Sequence, residues 1–197
     1  MLATMVARPP TGPGWSFEIK FDGVRTHLFV DDGRVVLRSR KGTDMTRWFP
    51  ELSNLATQIK ARQAILDGEI IFRDGSPESF NALLARVRSR RRRPDDEPLT
   101  FVVFDILVID DISTVDVPLD ERRMTLRRVV TENSQLVLSR VFDDGAALYA
   151  LAIEHGLEGI VGKMRMSQYV SGRSRDWVKI KVPGATSLHY WNGVKGL

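Results

Sequence analysis

"FEIKFDGVR", residues 17–25, sets apolar Phe17, Ile19 and Phe21 at alternate positions, with Glu18, Lys20 and Asp22 between them. Successive strand side chains point to opposite faces, so the run reads as β-structure. One face is apolar. The other carries a carboxylate, an amine and a carboxylate in a row. A surface strand shows this pattern, and so does a strand lining an active site on the concave face of a sheet. The neighbouring runs extend the β reading. "RTHLFVDDGRVVLRSR" is a hairpin joined at Asp-Asp-Gly, "AILDGEIIFRDG" is a strand, and "LTFVVFDILVID" has the unbroken apolar character of a central strand. "EGIVGKM" and "WVKIKV" are short strands.

Helical spacing appears in four places. Phe49, Leu52, Leu55 and Ile59 predict a helix over "FPELSNLATQIKAR", and Phe80, Leu83, Leu84 and Val87 one over "ESFNALLARVRS". "LDERRMTLRRVVTE" is a third, and "GAALYALAIEHG" a fourth, with Gly156 as its C-terminal cap. Residues 1–14, broken by Pro9, Pro10, Gly12, Pro13 and Gly14, read as an irregular arm. Strands outnumber a strict βαβ alternation, which argues for an α+β fold with antiparallel sheets.

The 197 residues suit one domain, or a domain with an appendage, and 43% hydrophobic with 27% charged residues is a soluble globular composition. No run approaches the ~18–20 apolar residues of a membrane span. "MLATMVARPPTGPGW" lacks the apolar stretch of a signal peptide, so the expected location is cytoplasmic, with no membrane partner. With no cysteine, disulfides and thiolate metal sites are excluded. His27, His155 and His189 are too scattered for a metal site. The net charge of +4 is modest, but "RVRSRRRRP" gathers Arg86, Arg88, Arg90, Arg91, Arg92 and Arg93. Such a run fits either phosphate-backbone contact or a solvated loop.

Charged residues also recur inside the strands: Lys20 and Asp22, Asp67 and Glu69, Asp105, Glu158 and Lys163, Lys179 and Lys181. Lys179 and Lys181 share one face of their strand, and Val178, Ile180 and Val182 the other. Buried charge is costly unless paired or ligand-bound. Any one of these has a bland reading. Asp105 suits a hydrogen-bonded structural acid equally well. Several separated sets together point to a multiply charged ligand, such as a nucleoside triphosphate with a divalent cation. Neither G-x-x-x-x-G-K-[ST] nor the dinucleotide fingerprint is present, so side chains rather than a glycine cradle would hold the phosphates.

These segments resemble the covalent nucleotidyltransferases, the superfamily of ATP-dependent DNA ligases, RNA ligases and mRNA capping enzymes. The family's motifs stand in order as Lys20-Phe21-Asp22-Gly23-Val24-Arg25, "SRKGTD" at 39–44, "DGE" at 67–69, "FVVFDIL" at 101–107, "EGIVGK" at 158–163 and "WVKIK" at 177–181. "SFNALLARV", "PLDERRMTLRRV" and the opening "MLA" resemble the bacterial ATP-dependent DNA ligases. The resemblance implies two packed, largely antiparallel sheets flanked by helices, the ATP-grasp-like fold of ligases and capping enzymes. It covers about residues 17–182.

The resemblance also implies roles. Lys20 is the nucleophile that takes AMP from ATP as a phosphoramidate, and Asp22, Lys179 and Lys181 assist. A free lysine titrates near ~10.4, so nearby positive charge and burial must favour the neutral amine. The nucleotide is expected against Glu18, Ile19, Arg25, Arg40, Glu69, Phe104, Val161, Lys163 and Lys179. Of these, Glu18 meets the base, Phe104 stacks on it, and Lys163 and Lys179 hold the α-phosphate. Glu69 and Glu158 are the expected ligands of Mg²⁺ or Mn²⁺. Arg25 and Arg40 are the expected DNA contacts at the 5′-phosphate of a nick. The implied partner is nicked double-stranded DNA.

A full ligase continues into an oligonucleotide-binding barrel. The 15 residues after Val182 are too few for one, since strands alone run ~5–6 residues each. The expected organisation is therefore a nucleotidyltransferase domain over 1–182 and a short tail over 183–197 without that barrel. This leaves a minimal enzyme, or one working with a separate barrel or DNA-repair protein. Two further readings stay open. One is a nucleotide- or DNA-end-binding module that has lost sealing. The other is an RNA ligase or capping-type transferase.

Overall fold

A computed structural model describes residues 1–72, 77–89 and 98–184, the side chains of 77–80 excepted. The chain forms two sheets. Four strands, β1 (Leu2–Met5), β2 (Trp15–Ile19), β9 (Gly159–Met164) and β10 (Arg173–Lys181), make the first, in the order β1-β10-β9-β2. The second runs β4 (Arg34–Ser39), β3 (Val24–Asp31), β5 (Gln63–Phe72), β6 (Leu99–Ile109) and β7 (Ile112–Ser113), with β8 (Leu136–Leu138) also on β6. All pairs are antiparallel except β1 on β10 and β8 on β6. The expected α+β class with two largely antiparallel sheets is the observed one. Among the described residues no helix is long and apolar enough to cross a membrane.

Each sheet has its own core. Leu28, Leu37, Leu66 and Phe101 of the larger sheet pack with Leu83 of α1 (Pro77–Ser89) and Leu126 of α2 (Leu119–Val129). Phe17, Ile160 and Ile180 of the smaller sheet pack with Leu148 and Ala152 of α3 (Gly145–Glu154). Helix α3 is capped by Asp144, whose Oδ1 accepts from the amides of Ala146 and Ala147 at 2.9 Å, and the chain turns at Gly156 with φ +63°. In the β3–β4 hairpin Asp32 and Gly33 both have positive φ, the geometry that matches strand twist.

Four local readings change. The strand read through Asp22 stops at Ile19, because Lys20–Gly23 carry the chain from one sheet to the other. Gly23 permits that crossing: a Cβ there would lie 2.3 Å from the Ile70 carbonyl oxygen. The first predicted helix is a 3₁₀ segment, Pro50–Gln58, with Leu52 and Leu55 buried, and its three-residue spacing suits a period of three. The arm contains β1, which gains its pairing only from distant β10. Arg86 is not a solvated or phosphate-binding arginine. It is fully buried, donates to the Trp48 carbonyl at 2.7 Å and grips both Glu51 oxygens at 2.9 and 2.7 Å. Arg88 is exposed, and Arg90 to Arg93 lie outside the described residues.

Candidate active site

The crossing at Lys20–Gly23 opens a cavity of about 260 Å³ between the sheets. The smaller sheet contributes Glu18, Ile19, Val161, Lys163, Trp177 and Lys179. The larger sheet contributes Arg25 from β3, Glu69 from β5 and Phe104 from β6, with Arg40 just past β4. Lys20 lies between the two groups. Lys20 and all nine residues expected against the nucleotide therefore line one cavity. Leu2 and Ala3 of β1, Arg173 of β10 and Phe21 complete the wall.

The Lys20 ammonium is paired with Glu158 Oε2, while Glu158 Oε1 accepts from Lys181 at 2.8 Å. One carboxylate thus links the candidate nucleophile to a second lysine, whose pKa is raised by that same hydrogen bond. Burial, then Lys20 and Lys181, lower the pKa of Lys179. Asp22 does not line the cavity, but its charge acts on both Glu69 and Lys181. Burial pushes Glu69 up to about 8 against the pull of Lys20 and Arg25.

Glu18 holds a buried cluster at another part of the wall. Lys163 Nζ lies 2.8 and 2.9 Å from its two oxygens, the Ser139 hydroxyl donates to Oε2 at 2.9 Å, and Arg123 of α2 donates to Oε1. Burial opposes ionisation of Glu18, but Lys163 and Arg123 together hold its pKa below the ordinary value. Lys163 Nζ also sits 4.4 Å from the Phe104 ring centre and 4.3 Å from that of Trp177. In the free protein this lysine is occupied by Glu18.

Arg25 is pinned by Asp67, with contacts of 3.0 and 2.6 Å, and Tyr169 donates to the same carboxylate at 2.8 Å. Asp105 is structural: Arg122 of α2 grips it with two contacts of 2.8 Å, both side chains fully buried. A second cavity of about 600 Å³ shares Arg25 and Arg40 with the first and adds His27, Tyr169 and Ser171.

Sequence reasoning missed Trp177, Tyr169, Arg123 and Ser139. The first lay inside a quoted motif without a role. Tyr169 and Ser139 sit in irregular segments with no pattern to mark them. Arg122 and Arg123 did leave a signal, since helix spacing puts them with Leu119 and Leu126 on the buried side.

A family model for the ATP-dependent DNA ligase domain matches residues 1–181. The chain belongs to that family. The LigD multifunctional non-homologous end joining protein of Pseudomonas aeruginosa is 35% identical over 185 residues, covering 91% of this chain and 21% of that protein. A DNA ligase of Thermococcus onnurineus is 34% identical over 178 residues, covering 84% and 32%. A solved structure of mycobacterial DNA ligase D complexed with ATP and MES superposes with a TM-score of 0.70 at 32% identity, over 91% of this chain and 60% of that one. This ligase domain thus spans about a fifth to a third of these curated relatives. The match favours the DNA ligase branch over the RNA ligase and capping branches.

The donor set suits a hard divalent cation. Glu69 and Glu158 carry carboxyl groups, and the Glu69 side chain makes no hydrogen bond or ion pair with the described residues, whereas Glu158 is paired with Lys20 and Lys181. Among those residues no cluster of three or more His, Asp or Glu gathers at one point. Two carboxylates completed by substrate phosphates and water match how Mg²⁺ is commonly held.

Proposed function

We propose that this ligase domain takes AMP from ATP onto Lys20, passes it to the 5′-phosphate of a DNA nick and lets the 3′-hydroxyl displace it. The observation that carries this reading is the placement of Lys20. Its amine sits in a cavity walled by the aromatic Phe104 and the aliphatic Val161, with cationic Arg25 and Lys179 nearby.

In the first step Lys20 Nζ attacks the α-phosphorus. An N–P bond forms, the P–O bond to pyrophosphate breaks and pyrophosphate leaves. Glu158 is the base in contact with the attacking nitrogen, and Lys181 on its other oxygen restrains it. Transfer of a proton from Lys20 to Glu158 precedes attack, because an ammonium has no free electron pair. Lys179 adds positive charge where the phosphates gain negative charge. Phe104 and Val161 provide apolar surfaces for the base. Glu69 and Glu158 would hold Mg²⁺ or Mn²⁺, which supplies charge neutralisation on the phosphates. The second cavity, with Arg25 and Arg40 on its border, is suited to the 5′-phosphate of the DNA strand.

The test is incubation with Mg²⁺ and α-labelled ATP, denaturation, and detection of label on the protein, with Lys20→Ala alongside. Label on the wild type alone is expected, followed by sealing of a nicked duplex. Label on folded Lys20→Ala would remove Lys20 as the nucleophile. Label without sealing would favour dependence on a separate barrel or DNA-repair partner. A wild type that binds ATP but takes no label would favour the binding-module reading.

A further inference from the structure

Glu18 lines the nucleotide cavity, but the residues that fix it do not all do so. Arg123 and Ser139 are absent from the wall. Arg123 comes from α2, is 5% exposed, and spans two residues of β2: one guanidinium nitrogen donates to Ser16 Oγ at 2.7 Å and another to Glu18 Oε1. Ser139 holds the other carboxylate oxygen, and its own backbone is tied to Val103 of β6 at 2.8 Å. Lys163 shares both oxygens.

A carboxylate offers about four acceptor sites. Here donors reach both oxygens, so a ligand amino group must displace one of them. Lys163 is the donor on a flexible stem, whereas the guanidinium is planar and fixed at two points. We infer that Arg123 is a positioning residue for nucleobase selection, keeping the Glu18 carboxylate aimed at the cavity so that it accepts from a purine whose amino group stands at the 6-position. Adenine presents an amino donor at its 6-position. Guanine presents a carbonyl oxygen there, which an ionised carboxylate repels. The preference for ATP over GTP thus depends on a side chain that touches neither nucleotide.

The inference rests on the nucleotide reading of this cavity, and the test separates the two. Wild type, Arg123→Met, Arg123→Lys and Ser139→Ala are each given α-labelled ATP or GTP, and equilibrium binding of both nucleotides is measured in parallel by calorimetry. Arg123→Met is expected to lower the ATP-over-GTP ratio by about tenfold, the size of one hydrogen bond to a charged group. The loss should appear mainly in KM for ATP, with circular dichroism unchanged. Arg123→Lys should keep part of the ratio, and Ser139→Ala should lose a smaller part. An unchanged ratio in folded Arg123→Met overturns the inference. Should Arg123→Met fail to fold, Ser139→Ala decides, and an unchanged ratio there overturns it equally. A wild type that binds ATP and GTP alike also overturns it. A wild type that prefers ATP in binding but takes no label refutes the chemistry at Lys20, while the binding ratios still decide the role of Arg123.

Discussion

Replacing Asp105 by asparagine tests whether this motif acid serves the fold or the chemistry. Asp105 and Arg122 are both fully buried and joined by two contacts of 2.8 Å. Arg122 also donates to the carbonyls of Val117 at 2.6 Å and Ser167 at 2.9 Å, so it ties β6 to two loops. Burial raises the Asp105 pKa while Arg122 opposes that rise. The two partners are therefore unequal. In Arg122→Met the stranded carboxyl can take up a proton and become neutral. In Asp105→Asn the guanidinium cannot shed its charge. Asp105→Asn should then fall at the upper part of the ~3–5 kcal/mol that breaking a buried pair costs. For a domain of this size that lowers Tm by roughly 8–20 °C. Urea unfolding at pH 7 measures the loss, and the double variant Asp105→Leu with Arg122→Met should recover most of it. Labelling with ATP well below the variant's Tm should still give the lysyl adduct. A loss under about 1 kcal/mol, or a folded Asp105→Asn that takes no label, would refute the structural assignment.

Gly23→Ala should cost about 1–3 kcal/mol, because its Cβ would meet the Ile70 carbonyl oxygen at 2.3 Å and Glu69 Cγ at 2.9 Å. The displaced Glu69 should also slow labelling, so denaturant melts and adduct rates are measured together. Glu18 predicts a pH effect on stability. Its folded pKa lies below the ordinary 4.5, so its contribution is complete above that pH and lost as pH falls through the folded value. Glu18→Gln should flatten the acid limb of the stability curve below about pH 4.5. A limb of unchanged slope would show that Glu18 is not the linked group.

The local patterns made most of the fold legible, and the motif residues made most of the cavity legible. Alternation at 17–19 marked β2, but the same alternation continued on paper through Lys20 and Asp22, where the chain has already left the sheet. Periodicity reports side-chain spacing and is blind to the close approach of Ile70 that only Gly23 allows. Four-residue β1 has no period of its own, and its strand character comes from β10, some 170 positions away. Arg86 was misread because a run of arginines says nothing about which one faces Glu51.

The most informative unread signal was Arg122-Arg123. Two adjacent arginines on the apolar side of a helix require two acids within reach, since buried guanidinium groups stay charged. They find them in different sheets: Asp105 on β6 and Glu18 on β2. Helix α2 therefore ties both walls of the cavity through neighbouring residues. Together with Ser139, which also bridges Glu18 and β6, that helix sets the space between Phe104, which adjoins Asp105, and Lys20, two residues from Glu18. A change at α2 that leaves every lining residue intact should still alter how a nucleotide is seated.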